Sequence, residues 1–259
     1  MTRAIWKGRI LLGEHEVPVK MYSAVQDRKV HFRLLHAKDL TPVEQRIVRK
    51  SDGKEVPGDQ QRKALPVSAD TAVILEPDEL ERTAPESSRD VTLCRFVPTT
   101  AIADVWYDRP YYLGPDDDEP TYFALIDALE HRKVAGVARW AMRKKRYVGA
   151  LQVIDGSLML ITMRRADQVL SVSGIEIPAA RQADDKEIRL AEQLVSAISE
   201  DFDPQSWVDE YRARVMQLIE AKARGAKIAV RAPKRSAPGG GLADQLQKSL
   251  AMAKEKKVA

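Results

Sequence analysis

Between His131 and Arg165 the chain reads HRKVAGVARWAMRKKRYVGALQVIDGSLMLITMRR, with nine Lys or Arg and a single acid, Asp155. The cations are Arg132, Lys133, Arg139, Arg143, Lys144, Lys145, Arg146, Arg164 and Arg165. A second group, Arg46, Arg49, Lys50, Lys54, Arg62 and Lys63, sits among the turn-forming runs Ser51-Asp52-Gly53 and Pro57-Gly58-Asp59. Guanidinium forks and ammonium points both bind phosphate oxygens, the first with two parallel hydrogen bonds. Neither group comes with a nucleophile or an acid–base pair. The chemistry they suggest is holding a polyanion rather than cleaving one.

Charge is segregated along the chain. Net charge runs +6 over residues 1–65, −11 over 66–130, +8 over 131–165, −5 over 166–225 and +6 over 226–259, for an overall +4. Alternating basic and acidic blocks are compatible with one basic face, and equally with ordinary solvated charge.

Motifs for other chemistries are missing. No glycine-rich phosphate loop with its Lys occurs, and no HExxH or paired-cysteine motif. Cys94 stands alone, and His15, His31, His36 and His131 are scattered. The run Asp116-Asp117-Asp118-Glu119 lacks the ordered spacing of a calcium loop and reads as a solvated acidic loop. The expectation is a non-enzyme with no cofactor, no metal and no catalytic residue. No run of 18 apolar residues occurs, and the opening MTRAIWKGRI lacks the apolar core of a signal peptide. A cytoplasmic, nucleoid-associated protein with no membrane partner is expected.

The elements that position the basic residues are mainly strands. Asp155-Gly156 lies between the apolar runs Tyr147–Ile154 and Leu158–Met163. Both turn residues tolerate positive φ, so two paired strands with Arg and Lys at their ends are predicted. Further strands are expected at 3–12, 16–22, 30–36, 72–75 (a buried one) and 91–97. Tyr122, Leu125, Ile126 and Leu129 predict a helix face leading into the basic hairpin.

After the hairpin the pattern turns helical. Asp184 or Asp185 is a candidate N-cap for a helix with Ile188, Ala191, Leu194, Val195 and Ile198 on one face. Asp203-Pro204 reads as a cap and first turn, with the helix ending at Gly225. The predicted organisation is a core over 1–180, a helical appendage over 181–225 and a flexible basic tail over 226–259. In the tail, Leu242, Leu246 and Leu250 recur at helical spacing after Pro238-Gly239-Gly240-Gly241. They are either a fraying end or a docking peptide that folds on a partner.

Several stretches together resemble the bacterial Ku proteins. They are Arg3-Ala4-Ile5-Trp6-Lys7-Gly8, Val17 to Ala24, Phe32 to His36 with Asp39, Gly53-Lys54-Glu55-Val56 and Phe96-Val97-Pro98. Tyr111 to Pro115, Ala138 to Arg143, Asp155 to Leu160, and Asp203-Pro204 with Tyr211 and Ala221-Lys222 continue the likeness, which runs from about residue 3 to 225. One stretch departs from it. Where the family usually has a Lys-Gly-Tyr-Glu-like segment this chain reads Arg62-Lys63-Ala64-Leu65-Pro66, and the cysteine often found in that excursion is missing.

The resemblance implies an α+β, mainly β fold: a β-barrel core with a C-terminal helical appendage. It implies a homodimer forming a ring on double-stranded DNA ends, without reading sequence. It also implies recruitment of an ATP-dependent DNA ligase in non-homologous end joining. Two other functions compete with this one. A sequence-specific regulator needs a recognition helix, whereas the cations here fall in predicted strands and loops. A lyase opening abasic sites through a Schiff base needs a lysine of depressed pKa.

Overall fold

The computed structural model describes residues 3–176, 183–225 and Gln247. The chain divides into two compact units, Met1–Gly174 and a second that begins at Ile175. The first unit holds strands β1 (Trp6–Leu12), β2 (His15–Ser23), β3 (Lys63–Pro66), β4 (Ala72–Leu75), β5 (Asp90–Pro98), β6 (Tyr107–Pro115), β7 (Val134–Met142), β8 (Lys145–Ile154) and β9 (Ser157–Met163). Helix α1 (Pro77–Thr83) follows β4, and α2 (Glu119–Arg132) joins β6 to β7.

Seven strands close into a barrel in the order β1-β2-β6-β9-β8-β7-β5. The neighbours run antiparallel except where β1 meets β5, a parallel contact pairing Ile10 with Val91 that closes the wall. Closure removes the open edges that an isolated sheet would expose. Ile10, Val19, Met21, Val91, Leu151, Leu158 and Leu160 are fully buried. Each such side chain contributes roughly 1.5–3 kcal/mol by leaving water.

Helix α2 lies against β2, β7 and β8. Its buried residues are the predicted Tyr122, Leu125, Ile126 and Leu129. The Tyr122 hydroxyl donates to the Leu113 carbonyl at 2.7 Å, so this buried polar tip is satisfied. The acidic run before α2 is less solvated than its composition suggested. Asp118 caps the helix by accepting from the Thr121 N–H, and Asp116 accepts from Lys20 at 2.6 Å and Lys7 at 3.3 Å. That carboxylate ties β1 and β2 to the end of β6.

Three expectations are corrected. Residues 30–36 form no strand. Phe32 and Leu34 are 67% and 64% exposed, so their alternation has no sheet to face. Ala72–Leu75 is a strand but not a buried one. It pairs only with β3 in a separate two-stranded sheet that leaves Val73 and Ile74 exposed. Asp203 caps only a 3-10 turn, Pro204–Ser206, and the following helix starts later, with Asp209 as its cap.

The second unit contains α3 (Asp185–Ile198) and α4 (Glu210–Ala223). Asp184 caps α3 by accepting from the Lys186 and Glu187 N–H groups, and the Glu187 carboxylate reaches back to the Asp184 N–H. Ile188 and Val195 of α3 are exposed, as are Phe202, Trp207 and Val208 before α4.

Candidate nucleic-acid interface

The site is organised by two successive hairpins rather than one. Asp155 and Gly156, at φ 50° and 68°, make the expected two-residue turn between β8 and β9. A second two-residue turn joins β7 to β8, with Met142 opposite Lys145 across it. Its residues are Arg143 and Lys144, at φ 52° and 60°. Such a turn needs positive φ at both places and normally carries Asn-Gly. Side chains with a Cβ are strained there, and strain of this kind concentrates at functional sites.

The barrel register brings most of the sequence-predicted cations to the end of the wall marked by this turn. Arg143, Lys144, Lys145 and Arg146 form the turn and the first residues of β8. Arg139 pairs with Val148 and Ala141 with Arg146, so Arg139 and Arg146 are diagonal neighbours on one face of the two strands. Strand β9 runs back toward the start of β8, which delivers Arg164 and Arg165 to the same end. Arg62 and Lys63 join them. They line a cavity of about 760 Å³ together with Lys144, Leu75, Leu80 and Glu81.

Other candidates lie elsewhere. Arg132 and Lys133 end α2 at the opposite end of β7, a nine-residue strand, which puts them about 27 Å away. Arg46, Arg49, Lys50 and Lys54 belong to the exposed segment before β3, where a Val48–Glu55 bridge folds a short turn. Leu242, Leu246 and Leu250 lie outside the described residues.

Charge is not equally available at these positions. Arg46 is bracketed by Glu44 and Glu55, which hold its guanidinium above the ordinary arginine range, the Glu44 hydrogen bond first. Arg62 pairs with Glu76 at 2.9 Å, Arg49 with Asp52 at 3.7 Å and Arg165 with Asp167 at 3.5 Å. Lys144 donates to Glu81 of α1 at 2.8 Å, and this bond pulls the Glu81 carboxyl below its ordinary range. Arg164 is turned to the carbonyls of Val105 and Tyr107 and to Asp108. Arg139, Arg143, Lys145 and Arg146 have no hydrogen-bond or ion-pair partner among the described residues. With Lys63, they are the cations of this end that can meet a phosphate without first giving up a carboxylate.

Arg95 escapes the sequence reading because it sits in the acidic 66–130 block. Its strand crosses next to β7, where Arg95 pairs with Val137, one register step beyond a bulge at Cys94. The bulge shifts the side-chain alternation, so strand periodicity in β5 does not mark it.

Residues 11–190 match the family model of the Ku70/Ku80 beta-barrel domain. The chain belongs to the Ku family. It is 37% identical over 234 residues to Non-homologous end joining protein Ku 2 of Geotalea uraniireducens, covering 90% of this chain and 91% of that one. It is 33% identical over 231 residues to the protein named Non-homologous end joining protein Ku in Coxiella burnetii, covering 87% and 84%. An archaeal relative of the same name, from Archaeoglobus fulgidus, is 32% identical over 232 residues, covering 88% and 91%. The Ku match takes in the barrel from the end of β1 onward, leaving out Trp6 to Ile10 of that strand, and with it both basic hairpins. No helix of the described residues is long and apolar enough to cross a membrane.

Proposed function

We propose that this Ku-family chain binds the ends of double-stranded DNA without reading sequence, as a homodimeric ring, during non-homologous end joining. The observation that carries the reading is the set of unpaired cations, Arg139, Arg143, Lys145 and Arg146, on strands and a turn at one end of the barrel. Phosphate contacts of this kind position a protein on a duplex and carry no sequence information. The printed names of the relatives, Non-homologous end joining protein Ku, support the same reading. Exposed Phe202, Trp207 and Val208 in the second unit, and Phe32 and Leu34 before β3, support a second copy as their cover. Closed twofold symmetry is the commonest solution for such faces.

A ligase partner is part of the proposal, with the basic tail and Leu242, Leu246 and Leu250 as its docking segment. Truncation after Gly225 should leave end binding intact and weaken stimulation of an ATP-dependent ligase. For the lyase alternative Lys20 is a poor candidate, because its hydrogen bond to Asp116 holds it above the ordinary lysine range, opposite to the shift a Schiff-base lysine needs.

The deciding experiment compares linear duplex with covalently closed circles of the same sequence. A ring threaded on ends binds the linear form and not the circle, and its log affinity falls linearly with log salt. Equal affinity for the two would overturn the end-binding reading. Sedimentation without DNA at micromolar concentration tests the dimer independently.

A further inference from the structure

The outer wall of the barrel carries a cleft that phosphate binding alone leaves unused. Its volume is about 360 Å³, within the range of small-ligand sites. Val97, Ile102, Val137, Val148 and Met163 make an apolar lining, and Trp106 forms one side of it. Arg95 and Arg139 also line it, and neither has a hydrogen-bond or ion-pair partner among the described residues. The third guanidinium, Arg164, is anchored to the Val105 and Tyr107 carbonyls, which also fixes the segment bearing Trp106.

We infer that this cleft holds one unpaired nucleotide at a DNA end, with the base on Trp106 and the phosphate on Arg95 and Arg139. A flat apolar ring joined to a phosphate within a few ångströms fits a hydrophobic slot with two unneutralised guanidiniums at its rim. Stacking on an aromatic side chain is indifferent to which base is present, as an end binder that reads no sequence requires. The cleft shares Arg139 with the proposed duplex interface, so the strand leaving the duplex need not travel far. The inference rests on the end-binding reading and adds to it a preference for frayed or overhanging ends.

The test measures binding of blunt duplexes and of the same duplexes with a four-thymidine single-stranded overhang. The overhang should bind about tenfold tighter, from one base–aromatic stack. Ile102→Trp fills the cleft and should abolish that advantage while leaving blunt-end affinity unchanged. Arg95→Gln, an exposed change, should reduce the advantage without disturbing the fold. A 5-iodouracil placed in the overhang should crosslink within residues 95–106. No overhang advantage in the unaltered protein, or an advantage that survives both substitutions, would overturn the inference. If blunt ends do not bind at all, the end-binding reading fails separately. The cleft is then judged by quenching of tryptophan fluorescence with a short thymidine oligonucleotide, lost in Trp106→Phe. Binding of free thymidine monophosphate or of an acidic Glu-Leu peptide, without the oligonucleotide, would assign the cleft to another ligand and overturn the inference.

Discussion

Trp140 of β7 stacks on Tyr147 of β8, the rings 5.4 Å apart and 16° from parallel. The two residues are also cross-strand partners in the register, three positions from the Arg143-Lys144 turn on each side. Trp140 is buried in the core and Tyr147 packs at its edge. The stack therefore anchors a cationic turn to the barrel interior, and the turn inherits the rigidity of the wall.

Tyr147→Ala should remove this anchor. Loss of the pair and of the ring's burial costs about 2 kcal/mol. For a chain of this size that lowers Tm by roughly 4–8 °C. Tyr147→Phe keeps the stack and should leave Tm nearly unchanged. Thermal unfolding followed by circular dichroism decides between them.

The turn itself should respond in opposite directions for stability and binding. Arg143 and Lys144 hold positive φ without being glycine. Arg143→Asn with Lys144→Gly supplies the residues this turn prefers and relieves about 1–3 kcal/mol of backbone strain. The exposed Lys144–Glu81 pair lost in the process is worth little. The double variant should melt higher than the original and bind duplex ends more weakly. Parallel melting and gel-shift titrations check the two signs.

Much of the core was legible because short-range rules govern it. Asp155-Gly156 announces its hairpin by turn chemistry, and Tyr122, Leu125, Ile126 and Leu129 announce their helix by spacing. Arg143-Lys144 announces nothing, since Arg and Lys are not turn formers, so no local signal marks β7 or the second hairpin. The Ile10–Val91 pairing that closes the barrel joins segments with no local link, and no periodicity encodes it. Val30–His36 shows the reverse error, because alternation marks a strand only when a partner strand exists. In the site, a block-averaged charge found the basic stretches. It could not tell Arg46, held by two carboxylates, from the unpaired Arg139, and it hid Arg95 inside an acidic block.

Gly149 tests the wall beneath the interface. A Cβ there would lie 2.5 Å from the Ile161 carbonyl oxygen and 2.7 Å from the Trp140 ring. The carbonyl belongs to backbone and cannot move aside. Gly149→Val should cost at least the roughly 1–3 kcal/mol of an overpacked core, and it should disturb the Trp140–Tyr147 stack as well. A reduced melting temperature with altered near-ultraviolet dichroism is the expected result.

The Asp116 cluster sets a pH dependence. Hydrogen bonding from Lys20, then from Lys7, holds the Asp116 carboxyl below its ordinary range. A depressed carboxyl contributes stability that is present above its unfolded pKa, about 3.9, and lost as pH falls through the lower folded value. Lys20 is raised, chiefly by the same hydrogen bond. Its contribution is present below the unfolded lysine pKa, about 10.4, and lost as pH rises through the folded value. Asp116→Asn should therefore be less stable than the unaltered chain between about pH 5 and 9. The two curves should converge only in acid below the lowered folded value, where Asp116 is protonated in both states. Denaturant midpoints measured across that range check the convergence.

The availability of charge, rather than its amount, should decide which substitutions weaken DNA binding. Arg139 and Arg146 stand unpaired on one face of β7 and β8, whereas Arg46 already satisfies Glu44 and Glu55. A phosphate approaching Arg46 must displace two carboxylates that then lie beside it, so the exchange returns little free energy. A phosphate approaching Arg139 displaces only water and releases a counterion. Each such contact contributes roughly 0.9 to the slope of log affinity against log salt. Arg139→Ala with Arg146→Ala should flatten that slope by about 1.8 and weaken binding equally across duplex sequences. Arg46→Ala should leave the slope within about 0.3 of its starting value. Salt titrations of the three proteins on one blunt duplex provide the comparison. A flattened slope for Arg46→Ala with none for the Arg139 and Arg146 pair would move the DNA path off the barrel wall and onto the exposed segment before β3.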